Sequence, residues 1–251
     1  MNNEIYQLYH VARCGSTLLS SILSTVVETY TEPSWARNVL DEGGNLYKQT
    51  YTGKLIKFPS LVLMNPVPTE LGKKIFLYRP LIQHLYKIKH VQDDWKKARC
   101  EYLHYIIHDQ GYSHEISKVK WKPSTDMELI AYQWLCSLFE MSKHQDVLWI
   151  RSNDFFLNKV ETVNLITRHF NLPTVKNYDY VDIDVKKLKI NGNDSPCEIK
   201  FRISQSPNDD IKHVSYNHGV IETDTAKSDD ELAKITSVLL QKFPSLEEHF
   251  Y

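Results

Sequence analysis

The chain has 251 residues, enough for one sizeable α/β domain over 1–251, and its 42% hydrophobic content suffices for a core. A formal net charge of −1 gives no overall field to draw nucleic acid or an anionic membrane, so neither partner is expected and any anion site must be local. Cysteines at 14, 100, 136 and 197 form no C-x-x-C pair and no metal-ligand spacing. The N-terminal MNNEIYQLYH lacks a basic-then-apolar leader, and no window approaches the ~18 apolar residues of a membrane span. The expectation is a cytoplasmic protein with reduced thiols and no metal.

In chain order, Ile5, Tyr6, Leu8, Tyr9 and Val11 form a short apolar run rich in β-formers, which predicts a central parallel strand ending at the turn Arg13-Cys14-Gly15. Leu18, Leu19, Ile22, Leu23 and Val26 recur at helical spacing. Ser16 and Thr17 therefore open a helix, where unpaired backbone N–H groups and the positive dipole end favour an anion. Gly15 allows close backbone approach, and Arg13 adds a cation. A Walker A loop is excluded by spacing: His10 stands where its first Gly belongs, and Ser16 where its Lys belongs.

Glu28 to Thr31 reads as a second strand delivering Glu32 to the same sheet edge, stopped by Pro33. Residues 36–50 suggest a helix, and Lys54 to Phe58 and Leu61 to Met64 suggest short strands split by Pro59. Lys57, alternating with Ile56 and Phe58, reads as a solvated face. Lys74 to Tyr78 is an apolar strand ending in Arg79-Pro80, followed by a helix from Leu81 to His90. Residues 93–120 are partly helical, and their His104 and His108 lack the Glu and third ligand of a zinc site. Thr125 and Glu128 form a capping box opening a helix with Met127, Ile130, Trp134, Leu138 and Met141 on one face.

Val147 to Ile150 reads as a buried strand, followed by a helix with Val160, Val163, Ile166 and Phe170, closed by Asn171-Leu172-Pro173. Residues 174–227 look loop-rich, with one strand candidate at Glu198 to Ile203. Ser228 and Glu231 suggest another capping box before a terminal helix with Leu232, Ile235, Val238 and Leu239, stopped before Pro244. Four strand–helix alternations predict a three-layer α/β/α fold with a mostly parallel central sheet.

Four segments in order resemble the PAPS-dependent sulfotransferase family, which uses 3′-phosphoadenosine 5′-phosphosulfate (PAPS) and has a P-loop NTPase-like fold. Arg13-Cys14-Gly15-Ser16-Thr17-Leu18-Leu19 is similar to its R-S-G-[ST]-[ST]-L-L loop, and Thr31-Glu32-Pro33 to a Ser/Thr-Glu-Pro segment of one branch. Lys74 to Pro80 is similar to its strand ending in R-[DN]-P, and VLWIRSNDFFLNKVETVNLITRHFNLP to its later strand–corner–helix. The resemblance implies that Arg13, Cys14, Gly15, Ser16, Thr17 and Leu18 hold the phosphosulfate end and that Arg79 binds the 3′-phosphate. Tyr86 falls where the family places a Ser for that phosphate.

It further implies Glu32 as general base and Arg13 as the cation at the leaving oxygen. His10 is the fallback base, because other branches use a His, although its place inside a strand suits a core residue. The family's late R-K-G loop is absent, which points to a divergent bacterial or carbohydrate-type branch acting on a small-molecule or carbohydrate hydroxyl or amine acceptor. The competing readings are a nucleotide-binding scaffold without activity and an atypical P-loop phosphotransferase.

Overall fold

The computed structural model describes residues 4–32, 51–64, 67, 72–90, 93–109, 121–176, 178, 189–190, 193–194 and 221–251. Five of its strands form one sheet: β1 (Tyr6–His10), β2 (Thr29–Thr31), β3 (Leu55–Lys57), β4 (Lys74–Tyr78) and β5 (Val147–Arg151). Every neighbouring pair is parallel, and the order is β2-β3-β1-β4-β5. β1 is buried at every position, as its apolar run requires of a strand covered on both faces. Leu8 lies in register with Lys57 on one side and Ile75 on the other, and His10 with Leu77.

Helices lie on both faces, which makes the three-layer α/β/α arrangement. On one face Tyr6 meets Phe170 at the end of α6 (Lys159–Phe170), with ring centroids 5.0 Å apart. Three positions along β1 the side chains point the other way. There Tyr9 stacks on Phe58, and the Phe76–Tyr78–Trp149 cluster receives His249 of α9 (Glu247–Phe250). Trp134 of α4 (Asp126–Ser142) packs on Phe250 behind it. The capping box at Thr125 and Glu128 forms as expected, and Met127, Ile130, Trp134, Leu138 and Met141 are all buried.

The chain leaves β1 through α1 (Ser16–Leu23) toward β2 on one side. It leaves β4 through α2 (Leu81–Lys89), α3 (Asp93–His104) and α4 toward β5 on the other. The two connections diverge between β1 and β4, and open α/β sheets bind ligands in the crevice outside the carboxyl ends at such a point. After β5 come α5 (Ser152–Leu157) and α6, and later α7 (Thr223–Lys227), α8 (Asp230–Lys242) and α9. Among the described residues no helix is long and apolar enough to cross a membrane.

Several expectations change. Leu61 to Met64 is not a strand but part of a 3₁₀ turn, Ser60–Met64, since Pro59 ends β3's ladder and the run then turns onto α4. β5 is a sheet edge and mostly half-buried. Val160 is exposed, while Val163, Ile166 and Phe170 are buried. Asp229, not Ser228, caps α8: its carboxylate accepts from Leu232 N–H and pairs with Lys89, whereas the Ser228 hydroxyl donates back to the Thr225 carbonyl. Within 174–227 the chain also forms the pair Lys189–Ile190/Asn193–Asp194 and α7. The expected helix at 36–50, Pro33 and the strand candidate at 198–203 lie outside the described residues.

Candidate anion-binding and acid–base site

The turn after β1 is held in a shape that few residues adopt. Arg13 has φ 59° and Gly15 φ 97°, and Gly15 is the N-cap of α1. Gly is needed there twice over: the conformation is left-handed, and a Cβ at Gly15 would lie 2.6 Å from Phe156 Cζ. By helix geometry the N–H groups of Ser16, Thr17 and Leu18 have no intrahelical acceptor, the first such bond running from Leu19 N–H to the Gly15 carbonyl at 3.0 Å. Ser16 is buried, Thr17 and Leu18 are half-buried, and Arg13 is exposed. Cys14 is fully buried, its thiol donating to the Leu77 carbonyl at 3.4 Å, so it ties the turn to β4.

The ends of β2, β3 and β1 set three ionisable residues in a row. Glu32 follows β2 with φ 47°, its N–H donating to the Lys57 carbonyl at 2.7 Å. Its Oε1 lies 2.5 Å from Lys57 Nζ and 3.6 Å from His10 Nε2. Lys57 Nζ also donates to Thr17 Oγ1 at 3.2 Å, which links this row to the first turn of α1. Burial works against the Glu32 carboxylate, but His10 and Lys57 outweigh it and hold its pKa down at about 2. Burial likewise opposes charge on His10, but Cys14 and Glu32 outweigh it and the pKa is raised.

Lys57 corrects the sequence reading: it is 1% exposed and not a solvated face. A strand that is buried on both faces leaves a Lys at its carboxyl end no route to bulk water, so it must find a carboxylate. That was the available signal, and it required knowing that β3 lies between β1 and β2.

Arg79 follows β4 and is 1% exposed. Its Nη2 donates to the Arg13 carbonyl at 3.4 Å, while Nε and Nη1 are buried with no hydrogen-bond partner among the described residues. Burial lowers its pKa to about 10. Its backbone is fixed by Trp134, whose Nε1–H donates to the Arg79 carbonyl at 2.8 Å. Lys87 of α2 is a cation that sequence reasoning passed over; its pKa is lowered by burial and by the charges of Arg79 and Arg13. Tyr86 instead turns its ring to His90, with centroids 4.5 Å apart. His84, buried beside Arg79 and Arg99, is held neutral, with its pKa lowered to about 3 by burial and by those two charges. His104 lies on the exposed side of α3, and the His108 side chain is outside the described residues.

The structure thus brings Arg13, Gly15, Ser16, Thr17, Arg79, Glu32 and His10 to one sheet edge, adds Lys57 and Lys87, and turns Tyr86 toward His90. The arrangement offers two anion anchors, the α1 turn and Arg79, and a carboxylate beside the first.

No protein-family model matches the chain, and no curated protein matches it by sequence. Among solved structures, a sulfotransferase from Alicyclobacillus acidocaldarius is similar at 15% identity over 72% of this chain and 87% of its own, with a TM-score of 0.41. The sulfotransferase domain from the curacin biosynthetic pathway matches at 12% identity over 94% and 97%, with a TM-score of 0.43. Mouse sulfotransferase SULT7A1 complexed with PAP matches at 10% identity over 97% and 86%, with a TM-score of 0.49. Likeness at that level carries no argument, and the α/β fold stands on the strand order and the helices on both faces.

Proposed function

We propose that the chain transfers a sulfuryl group from PAPS to a hydroxyl or amine of a small-molecule or carbohydrate acceptor. The observation that carries this reading is the Arg79 guanidinium, buried with two nitrogens unpartnered among the described residues and bonded through the third to the turn that opens α1. A buried cation left partly unpaired costs stability, and an anion reaching it from the crevice removes that cost. With the α1 turn, whose Arg13 carbonyl it touches, it makes two neighbouring anion anchors at one sheet edge. That suits a nucleotide with separate 5′ and 3′ phosphate groups better than a linear triphosphate.

PAPS supplies the sulfuryl group, and its nucleotide departs as adenosine 3′,5′-bisphosphate. Arg13 and the N–H groups of Ser16, Thr17 and Leu18 hold the 5′ side, where they stabilise negative charge on the departing oxygen. Arg79 takes the 3′-phosphate, with Lys87 adding positive potential. Glu32 accepts the acceptor's proton. Held by Lys57 its carboxylate is a weak base, but Lys57 also reaches Thr17 at the turn. A sulfonate there offers the ammonium a second acceptor, and sharing Lys57 raises the basicity of Glu32.

Calorimetry tests the reading. Adenosine 3′,5′-bisphosphate should bind more tightly than ATP, and Arg79→Met should weaken it by about ten- to a hundredfold, the worth of a charge-assisted phosphate contact. The same variant should unfold at or above the wild-type temperature, since it replaces a buried, partly unpaired charge by an apolar chain of similar length. Tighter binding of ATP supports a phosphotransferase instead, and binding of neither nucleotide supports a scaffold.

A further inference from the structure

We infer that His10 is a positioning residue held as an imidazolium, a second cation that fixes the Glu32 carboxylate over the end of β3, and that it is not the base of the reaction. The inference rests on the proposed function only for what Glu32 does; the state of His10 follows from the fold. His10 is the last residue of β1 and is 4% exposed. Its Nδ1 lies 2.8 Å from the Val11 carbonyl, an acceptor only, so Nδ1 carries a proton. Its Nε2 is buried, has no hydrogen-bond partner among the described residues, and faces Glu32 Oε1 at 3.6 Å.

A neutral ring with its proton on Nδ1 would aim the lone pair of the buried Nε2 at a carboxylate. Protonating Nε2 turns that repulsion into attraction. The other groups around the ring are Lys57 from β3, which opposes the charge, and Cys14 from the turn, which favours it. In register with it on β4 stands the apolar Leu77.

Topology explains why such a brace is needed. β2 is not beside β1; β3 lies between them, so two strand spacings, about 10 Å, separate Glu32 from His10 at the backbone. Glu32 reaches back across that gap from a left-handed backbone. Lys57 holds it from the middle strand, and His10 draws it toward the α1 turn from the far one. Two cations on one carboxylate leave the cluster net positive, which suits an anion at the first turn of α1. A protonated imidazole has no lone pair with which to accept a proton, so His10 acts through Glu32.

The test is the protonation state of His10 in the full chain, read by long-range proton–nitrogen-15 correlation, with the His10 signals identified by their loss in His10→Gln. Both ring nitrogens should be protonated at neutral pH, and Glu32→Gln should lower the His10 titration point by about one unit or more. A neutral ring at neutral pH, or a titration point that Glu32→Gln leaves unmoved, overturns the inference. In turnover, the wild type should lose activity as pH rises through the His10 titration. His10→Gln should remove that limb and lower kcat by about tenfold or more, with the donor KM within about twofold. Activity that instead rises through that titration makes His10 the base and overturns the inference. The nitrogen-15 titration needs no turnover, so a chain that transfers no sulfuryl group sinks the proposed function alone, while the spectra still decide His10.

Discussion

Glu32 combines three features that rarely meet in a structural residue: a left-handed non-Gly backbone, an ion pair with a buried lysine, and a side chain that still reaches solvent at 33% exposure. Backbone strain of this kind costs about 1–3 kcal/mol and persists where the surroundings over-determine it, which is common at functional sites. If Glu32 is the base, Glu32→Gln should cut turnover by about 10²–10⁴ while leaving the affinity for adenosine 3′,5′-bisphosphate nearly intact; a variant that turns over at close to the wild-type rate makes Glu32 an ordinary turn residue. The same substitution has a stability signature with a fixed sign. The folded-state pKa is depressed from 4.5 to about 2, so the pair stabilises the fold above about pH 4.5 and loses that contribution as pH falls toward 2. After discounting for partial exposure the contribution is about 1–2 kcal/mol. Thermal unfolding should therefore show Glu32→Gln less stable than wild type at neutral pH, with the gap closing in acid; a gap that stays constant would mean the carboxylate is not held by Lys57. Glu32 itself was legible in the sequence because it stands beside a proline at the end of a β-prone run. Lys57 was not, because its partners Thr17 and Glu32 lie 40 and 25 residues away and only strand order brings them together.

At the scale of elements, the cradle was readable because strand, turn and helix are contiguous, and each is fixed by local pattern: the apolar run of β1, the Gly at the turn, and the helical spacing from Leu18 on. What sequence could not give is that the turn is closed from outside by α5, whose Phe156 ring occupies the place of a Gly15 side chain. This makes a separable prediction. Gly15→Ala should destabilise the fold both through the positive φ, worth about 1–2 kcal/mol, and through the clash with Phe156. Adding Phe156→Ala should relieve the second cost and leave the first, so the double variant should bear less than the sum of the two single losses in denaturant unfolding. Simple additivity would mean that α5 does not bear on the turn. The misread elements share one cause. Leu61 to Met64 has the composition of a strand but follows a proline and packs on α4, and the choice of Asp229 over Ser228 as cap depends on Lys89, which comes from α2. Local propensity was overruled by tertiary partners in both cases.

For the whole molecule, the described C-terminal residues close the sheet behind Arg79. Phe250 is fully buried against Trp134, the same indole that donates to the Arg79 carbonyl. Beside it His249 Nδ1 lies 2.9 Å from the Tyr78 hydroxyl and stacks on Trp149, and Arg151 donates both to that hydroxyl and to the Glu248 carbonyl. The aromatic face of β4 and β5 is thereby partly covered, which reduces an exposed aromatic patch. Because one indole joins this closure to the anion anchor, damage to the closure should be felt at the site. Phe250→Ala removes a fully buried ring and should cost about 3–5 kcal/mol, lowering the unfolding temperature by roughly 10 °C for a chain of this size. It should also weaken adenosine 3′,5′-bisphosphate binding at temperatures where the variant is fully folded, because Trp134 loses the surface that holds its indole under Arg79. Phe250→Leu keeps most of the apolar volume and should recover much of both losses. Calorimetric scanning paired with nucleotide titration of the two variants separates the effects: a loss of stability with unchanged affinity would mean that Trp134 holds Arg79 without help from the C-terminal helix, and that the closure of the sheet and the anchoring of the anion are independent.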